Sequence, residues 1–428
     1  MGNVLGWKED PEIDEIFDNL KEESTNEEQK EQIITNKRKV KKALRTLHHR
    51  ICNDQIINYF KVTKDDLDDI LKIFIRVNSG GTQLSRTDLL FSTIVATWED
   101  GRDEIEAFLK EINSKGDGFW FNNDFLMRSC LVLSDLPVLF KVNSFRSENV
   151  ELIKRNWNKI KESISRTVDF LTALGFSGSV LTSQNAIIVI AYHFMKGGDF
   201  SQSSKEGLRK YLLFALLKNI YGGQGDQVIS NLRNALRIKN ADNTYSLKNH
   251  HFPIEDFLKL SLPANKSLAI STEDIEEFMN YRKGPNSFFV LSLLYPHLKY
   301  NEIHFHQDHI HPDSKFTEAK MKAVGIPEEH WEEWKQIKDT VPNLQLMEGR
   351  QNGSKNASTF EEWIKGSDVS GKKNITDLHK FCADNYIPDD VSFSFSSFGI
   401  FYNRRKEILI EELIRVLRIE SKEAIMVK

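Results

Sequence analysis

The sequence predicts a mainly α protein: a helical domain followed by a small α+β domain. Three observations predict it. Apolar residues step by three and four through most of the chain from about Asp65 to Leu260. The pattern resets at Pro263, Asn265 and Ser267. Beyond the reset, two short stretches read as strands, one around Phe305 and one beginning at Asn343. At 428 residues the chain has room for two or three domains, taking ~150 residues for each. An apolar fraction of 40% supports buried cores and excludes general disorder. A formal net charge of −4 excludes a blanket of positive charge but not a local basic groove. Cys52, Cys130 and Cys382 lie far apart, which excludes a disulfide framework and a zinc site built from CxxC pairs. The longest apolar stretches, Ala186 to Met195 and Phe288 to Tyr295, fall short of the ~20 residues of a spanning helix. No basic and apolar leader follows Met1, so a soluble, cytoplasmic protein without a membrane is expected.

The elements follow in order. Residues 1–63 open on an acidic arm, with Glu9, Asp10, Glu12, Asp14 and Glu15 among its carboxylates. A basic block comes next, including Lys37, Arg38, Lys41 and Lys42. Ile33, Ile34, Val40, Leu44 and Leu47 lie between these charges at helical spacing, so the block reads as an amphipathic helix. Its basic face either balances the acidic arm or meets a DNA backbone. Residues 64–265 form the helical domain. Ile153, Trp157, Ile160, Ile164, Val168 and Leu171 mark its clearest helix, with Gly175 as the C-cap. The glycines in Tyr221-Gly222-Gly223-Gln224-Gly225 fit neither phosphate-binding pattern and read as a loop. Residues 266–428 form the small domain, opening on a helix start at Ser271-Thr272-Glu273-Asp274 and closing on a helix that carries Ile408, Leu409, Leu413, Ile414 and Leu417.

Five of the twelve histidines fall between residues 297 and 311, which singles out this stretch. His304, His306 and Asp308 alternate with Phe305 and Gln307, the period of a strand, and Pro312 ends it. A carboxylate next to a histidine at a strand end can serve metal-assisted hydrolysis. The carboxylate takes a hard cation, and a neutral imidazole takes a proton from water. Downstream, Asn343 opens a short apolar strand, Asn352 follows nine residues later, and Lys355 lies three beyond that. The stretch from Lys315 to Thr340 reads as a helical connection between the strands. Trp331, Trp334 and Trp363 read as packing residues, and His304, His306 and His311 as polar strand and turn residues.

This ordered set, Asp-His, then Asn, then Asn-x-x-Lys, resembles the ββα-metal motif of HNH endonucleases over about Ile303 to Asn356. The resemblance implies a metal held by Asp308 and Asn352, with Asn356 as an alternative ligand. It makes His309 the general base and Asn343 the residue that orients its imidazole by a hydrogen bond. Lys355 would meet phosphate, and the cofactor would be one Mg²⁺ or Mn²⁺. A second string, Phe74-Ile-Arg-Val-Asn-Ser-Gly-Gly-Thr-Gln-Leu-Ser-Arg-Thr-Asp88, is similar to the motif of GmrS-type domains, which occur with GmrD-type HNH domains in GmrSD-like modification-dependent restriction systems. Arg76, Asn78, Gly80 and Gly81 carry that similarity, without a role that can be assigned. The closing helix, with Phe398, Phe401, Tyr402, Arg404 and Arg405, agrees with it.

The family's Asp-Gly-Gln-Gln-Arg string, which works with nucleoside triphosphate in a ParB-like amino-terminal part, does not occur in the chain. Residues 1–63 therefore read as the remnant of an amino-terminal domain, and nucleotide use is not carried over. The expected function is an HNH endonuclease cutting DNA, including modified phage DNA, within an antiviral restriction system. A separate nucleotide-binding subunit and a homo-oligomer are compatible partners. Lys37, Arg38, Lys41, Lys42 and Arg350 are the candidate DNA contacts. The alternatives are a non-catalytic relative that binds DNA or a partner, and an RNA-cleaving toxin.

Overall fold

In this computed structural model residues 11–52, 63, 73, 94, 98–138, 147–300, 302–349, 353, 355, 358–367 and 371–419 are described. The chain divides into two compact units between Phe74 and Ile75.

Among the described residues of the first unit are two long helices, α1 (Pro11–Glu23) and α2 (Glu27–Cys52). Opposite charge joins them. Asp14 pairs with Lys41 at 2.5 Å and with Lys37 at 3.3 Å, and Lys37 also reaches Asp18 at 3.5 Å. The acidic arm is thus itself helical over α1, and part of the basic face of α2 is spent on it. Such exposed pairs contribute ~0–1 kcal/mol each, so they set the pairing of the helices more than their stability.

In the second unit, α3 (Gly101–Asn113), α4 (Asn123–Leu133), α5 (Ser147–Ala173), α6 (Asn185–Met195), α7 (Gln202–Leu217) and α8 (Gly225–Leu236) pack into a helical body. Helix α6 is buried from Ala186 to Phe194, as its all-round apolarity requires. The six apolar residues expected on α5 all face the core. Gly175 ends that helix at φ +76°, with Phe176 N–H donating to Leu171 O across it at 3.0 Å. A hairpin of β1 (Arg237–Lys239) and β2 (Tyr245–Leu247) and a short helix α9 (Ile254–Leu258) follow.

Helix α10 (Thr272–Phe278) starts where the sequence places it. Ser271 Oγ accepts from Asp274 N–H at 3.2 Å, and Asp274 returns the bond to Ser271 N–H at 2.8 Å. Next come α11 (Pro285–Leu294), strand β3 (Phe305–His309), α12 (Glu318–Ala323), α13 (Trp331–Ile337) and strand β4 (Leu344–Glu348). Strands β3 and β4 pair antiparallel, Asp308 opposite Gln345 and His309 opposite Leu344. The connection between them is helical, as expected. Three further helices close the chain: α14 (Phe360–Lys365), α15 (Leu378–Asp384) and α16 (Phe398–Leu417).

One apolar core runs from Ile94 to Leu413 and takes residues from both sides of position 265. Two smaller clusters form around Ile310 and Phe360 and around Phe316 and Trp334, and α16 reaches all three cores, through Leu409 and Leu413, through Phe401, and through Phe398 and Tyr402. Arg405 on the same helix is fully buried. Its guanidinium donates to Pro342 O and Leu344 O at 2.8 Å and to Tyr386 O and Asn385 O at 3.1 Å. The helix thereby holds the entry into β4 in place.

Candidate active site

Strand β3 ends at His309, and the two residues expected to do chemistry stand at that end. Asp308 keeps 12% of its side chain exposed and His309 keeps 14%. The strand is fixed from its inner side by Gln307, whose Oε1 accepts from Ser287 Oγ at 2.6 Å and whose Nε2 donates to Gly284 O at 2.9 Å.

His309 Nε2 lies 2.9 Å from Asp339 Oδ1. A carboxylate only accepts, so the ring proton sits on Nε2 and Nδ1 is the acceptor. Burial pushes the imidazole below its ordinary pKa, and the hydrogen bond and charge of Asp339 oppose that shift. The ring is therefore neutral near pH 7, the form a general base needs.

Asp339 is the orienting partner, and Asn343 is not; this corrects the role expected of Asn343. Asn343 is fully buried. Its Oδ1 accepts from His311 N–H at 2.9 Å, and its Nδ2 donates to His311 O at 3.0 Å and Lys338 O at 2.7 Å. With both ends of its amide on backbone, it has nothing left for the His309 ring. It clamps the chain just past the strand instead.

Lys355 also differs from expectation. Its side chain is 0% exposed, and its ammonium donates to Asp308 Oδ2 at 2.6 Å and to His309 O. Burial lowers its pKa against the opposing pull of Asp308. A buried amine held by a carboxylate positions that carboxylate and does not reach out to a phosphate. Gln345 Nε2 donates to the same Oδ2 at 3.2 Å, so these bonds leave Asp308 Oδ1 for other partners. His311 is no polar turn residue: it is fully enclosed by the rings of Phe360, Phe395, Phe398 and Phe401.

The remaining candidates divide by position. Gly353 and Lys355 have helical conformation. Asn352, Asn356, Arg350, Arg76, Asn78, Gly80 and Gly81 lie outside the described residues. Lys37, Arg38, Lys41 and Lys42 lie on α2. For a divalent metal, Asp308 supplies a hard oxygen, the donor kind that Mg²⁺ takes from one or two carboxylates with water completing the shell. Among the described residues there is no group of three or more His, Cys, Asp or Glu side chains that could hold a metal. Asp308 is thus the hard-oxygen donor that the described part of the site offers a divalent cation.

Residues 5–95 match the family described as GmrSD restriction endonuclease, N-terminal domain. Over that segment, well under half of its length, the chain is similar to that family. The match takes in the acid–base helices and extends past residue 63 to include the Phe74–Asp88 string. Restriction endonuclease is thus the family's activity, and the Asp308–His309 site lies in the part of the chain beyond the match. No curated protein matches the chain. Among the described residues no helix is long and apolar enough to cross a membrane.

Two residues of the site escaped the sequence reading. Asp339 sat in the stretch read as a connection, and Lys283 sat on the far side of α11. Lys283 N–H donates to Asp339 O at 2.7 Å, a contact with no local signal because 56 positions separate the two.

Proposed function

We propose that the second unit is an HNH endonuclease that hydrolyses DNA phosphodiester bonds with one divalent metal, in a restriction system. The observation that carries this reading is the His309 imidazole, neutral, held by Asp339, and adjacent in the chain to a carboxylate at a strand end. His309 takes a proton from water at Nδ1, and Asp339 holds the Nε2–H so that the acceptor stays on the other nitrogen. The positive charge the ring gains is stabilised by the same carboxylate. Lys355 and Gln345 fix the orientation of Asp308, and Asn343 fixes the backbone into which these side chains are set. Asp308, with Asn352, would hold the cation. When bound, it supplies charge stabilisation to the phosphate and leaving oxygen. The antiparallel hairpin of β3 and β4, followed by helical residues at 353 and 355, supports the HNH assignment.

The test is plasmid cleavage in Mg²⁺ or Mn²⁺ by the parent protein and His309→Ala. Loss of one general base lowers the rate by ~10²–10⁴-fold, and chelation of the metal abolishes cutting. Equal cleavage by both proteins would sink the assignment.

A further inference from the structure

A cleft of about 480 Å³ opens along the outer face of β3, with Asp308 in its wall. One side is the strand itself, including His304 and His306. The other side comes from the helical body, at Gly116–Asp117 and at Ser177, Ser179 and Val180. This volume lies within the ~300–1,000 Å³ of small-ligand sites. It suits one strand, or a nucleotide drawn out of a duplex, and not a paired helix.

Two features, one in its wall and one beside it, have no part in the chemistry above. The first is Lys283, which lines the cleft together with Asp308. Its place is fixed at the backbone: its N–H is bonded to Asp339 O, and the next residue, Gly284, is bonded to the Gln307 side chain. Among the described residues the carboxylates of the cleft have other partners. Asp308 holds Lys355, Asp117 lies 3.0 Å from His304, and Glu302 lies 3.0 Å from Lys299. Lys283 is exposed and, among the described residues, has no carboxylate within ion-pair distance. It is a cation set beside the Asp308–His309 pair, and its charge is felt by His309 and by Asp313.

The second feature is Trp120, 69% exposed in a strip whose neighbours Phe119 and Phe121 are buried. The strip is held rigidly. Asn113 Oδ1 accepts from Phe121 N–H at 2.7 Å, and Gln184 Nε2 donates to Trp120 O at 2.7 Å. The indole lies against Gly178, where an added Cβ would come within 2.8 Å of the ring. Gly178 N–H donates to Gly118 O at 2.7 Å, and its neighbours Ser177 and Ser179 line the cleft. An exposed aromatic packed behind the Ser177–Ser179 edge of a cleft, with a cation beside Asp308 in the cleft wall, is an arrangement suited to single strands: stacking for the base and charge for the backbone.

We propose that this cleft is the track for one DNA strand, with a phosphate held by Lys283 beside Asp308 and a base stacked on Trp120. The proposal rests on the nuclease reading and deepens it. It is tested by binding in the His309→Ala background, so the track and the chemistry are read separately. The probe is a labelled single-stranded DNA of about twelve nucleotides, followed by fluorescence anisotropy across a salt series. Lys283→Gln weakens binding and lowers the slope of log affinity against log salt by about 0.7, the loss of one phosphate contact. Lys283→Arg keeps both. Trp120→Ala weakens single-strand binding by about five- to a hundredfold without changing the slope, and leaves fully paired DNA unaffected. Lys322→Gln, on the exposed side of α12, changes neither. Affinities within about twofold of the parent for either Lys283→Gln or Trp120→Ala overturn the proposal, because the track needs both ends. An equal loss on single-stranded and paired DNA overturns it too. Cleavage that survives in His309→Ala would remove the assignment of His309 as the base while these binding arms still judged the track.

Discussion

The two sides of the hairpin's end hold the same residue type in opposite settings. On one side His309 meets solvent and has Asp339 to hold its ring proton. On the other, His311 is sealed among four phenyl rings, the nearest at 4.7 Å, and neither ring nitrogen has a partner among the described residues. Burial, aided by the charges of Lys355 and Arg405, pushes its pKa down to about 3. Had the strand continued, residues 309 and 311 would share a face. It ends at His309, and Asn343 takes both backbone groups of His311 and turns the chain inward. What separates the histidine proposed to act on water from the walled-off one is a carboxylate partner and some exposure to solvent.

Breaking the polar side has the largest expected effect. Lys355→Met removes the buried partner of Asp308 and leaves that carboxylate without its cation. It costs up to about 3 kcal/mol, less than a fully buried pair would because Asp308 keeps some exposure. Thermal unfolding measures it, and an unchanged midpoint would show that the pair is not formed.

Asp339→Asn acts on chemistry. Removing a residue that orients a functional ring lowers cleavage by ~10–100-fold. The pH profile carries the sharper sign. Asp339 raises the His309 pKa against the lowering by burial. The variant's acid limb therefore moves to lower pH, and a limb that stays put would mean that Asp339 does not face the ring.

The effect that is smallest near pH 7 lies on the apolar side. His311 has a folded pKa of about 3 against an ordinary 6.5. Below pH 6.5 the unfolded chain takes up a proton that the folded one refuses, so stability falls as pH drops from about 6.5 toward 3, by up to ~1.4 kcal/mol per pH unit. His311→Phe removes that slope and leaves stability near pH 7 almost unchanged. Denaturant melts at pH 7 and pH 4.5 that shift in parallel for the two proteins would count against the buried neutral imidazole.

Elements with local causes were legible. The α5 stripe, the Ser271–Asp274 capping box, the Gly175 ending and the two strands each follow from residues within a turn or two of one another. The pair at the end of β3 was legible for the same reason, since Asp308 and His309 are neighbours. The partners were not. Asp339 lies 30 positions from His309, and the amide of Asn343 was expected on the ring when the backbone of His311 had the stronger need. Lys355 was expected to meet phosphate because the HNH resemblance places the lysine of Asn-x-x-Lys there, and only the fold reveals its burial and its pairing with Asp308. Charge patterning did foreshadow that α1 and α2 would meet, though not that Lys37 and Lys41 would be the residues spent on Asp14.

By itself, then, the sequence determined the mainly helical class, the strands that end on Asp308 and His309, and the resemblance that pointed to phosphodiester chemistry. Period, caps and motif order are written in neighbouring residues, so they need no folded chain to be read. Only the tertiary structure decided which carboxylate holds the imidazole, which histidine is walled off, and that Lys355 serves Asp308. It also brought Lys283 and Asp117, far apart in the chain, to one cleft. Those outcomes depend on burial and on hydrogen bonds that compete across distant segments, and that competition is settled only when the core closes.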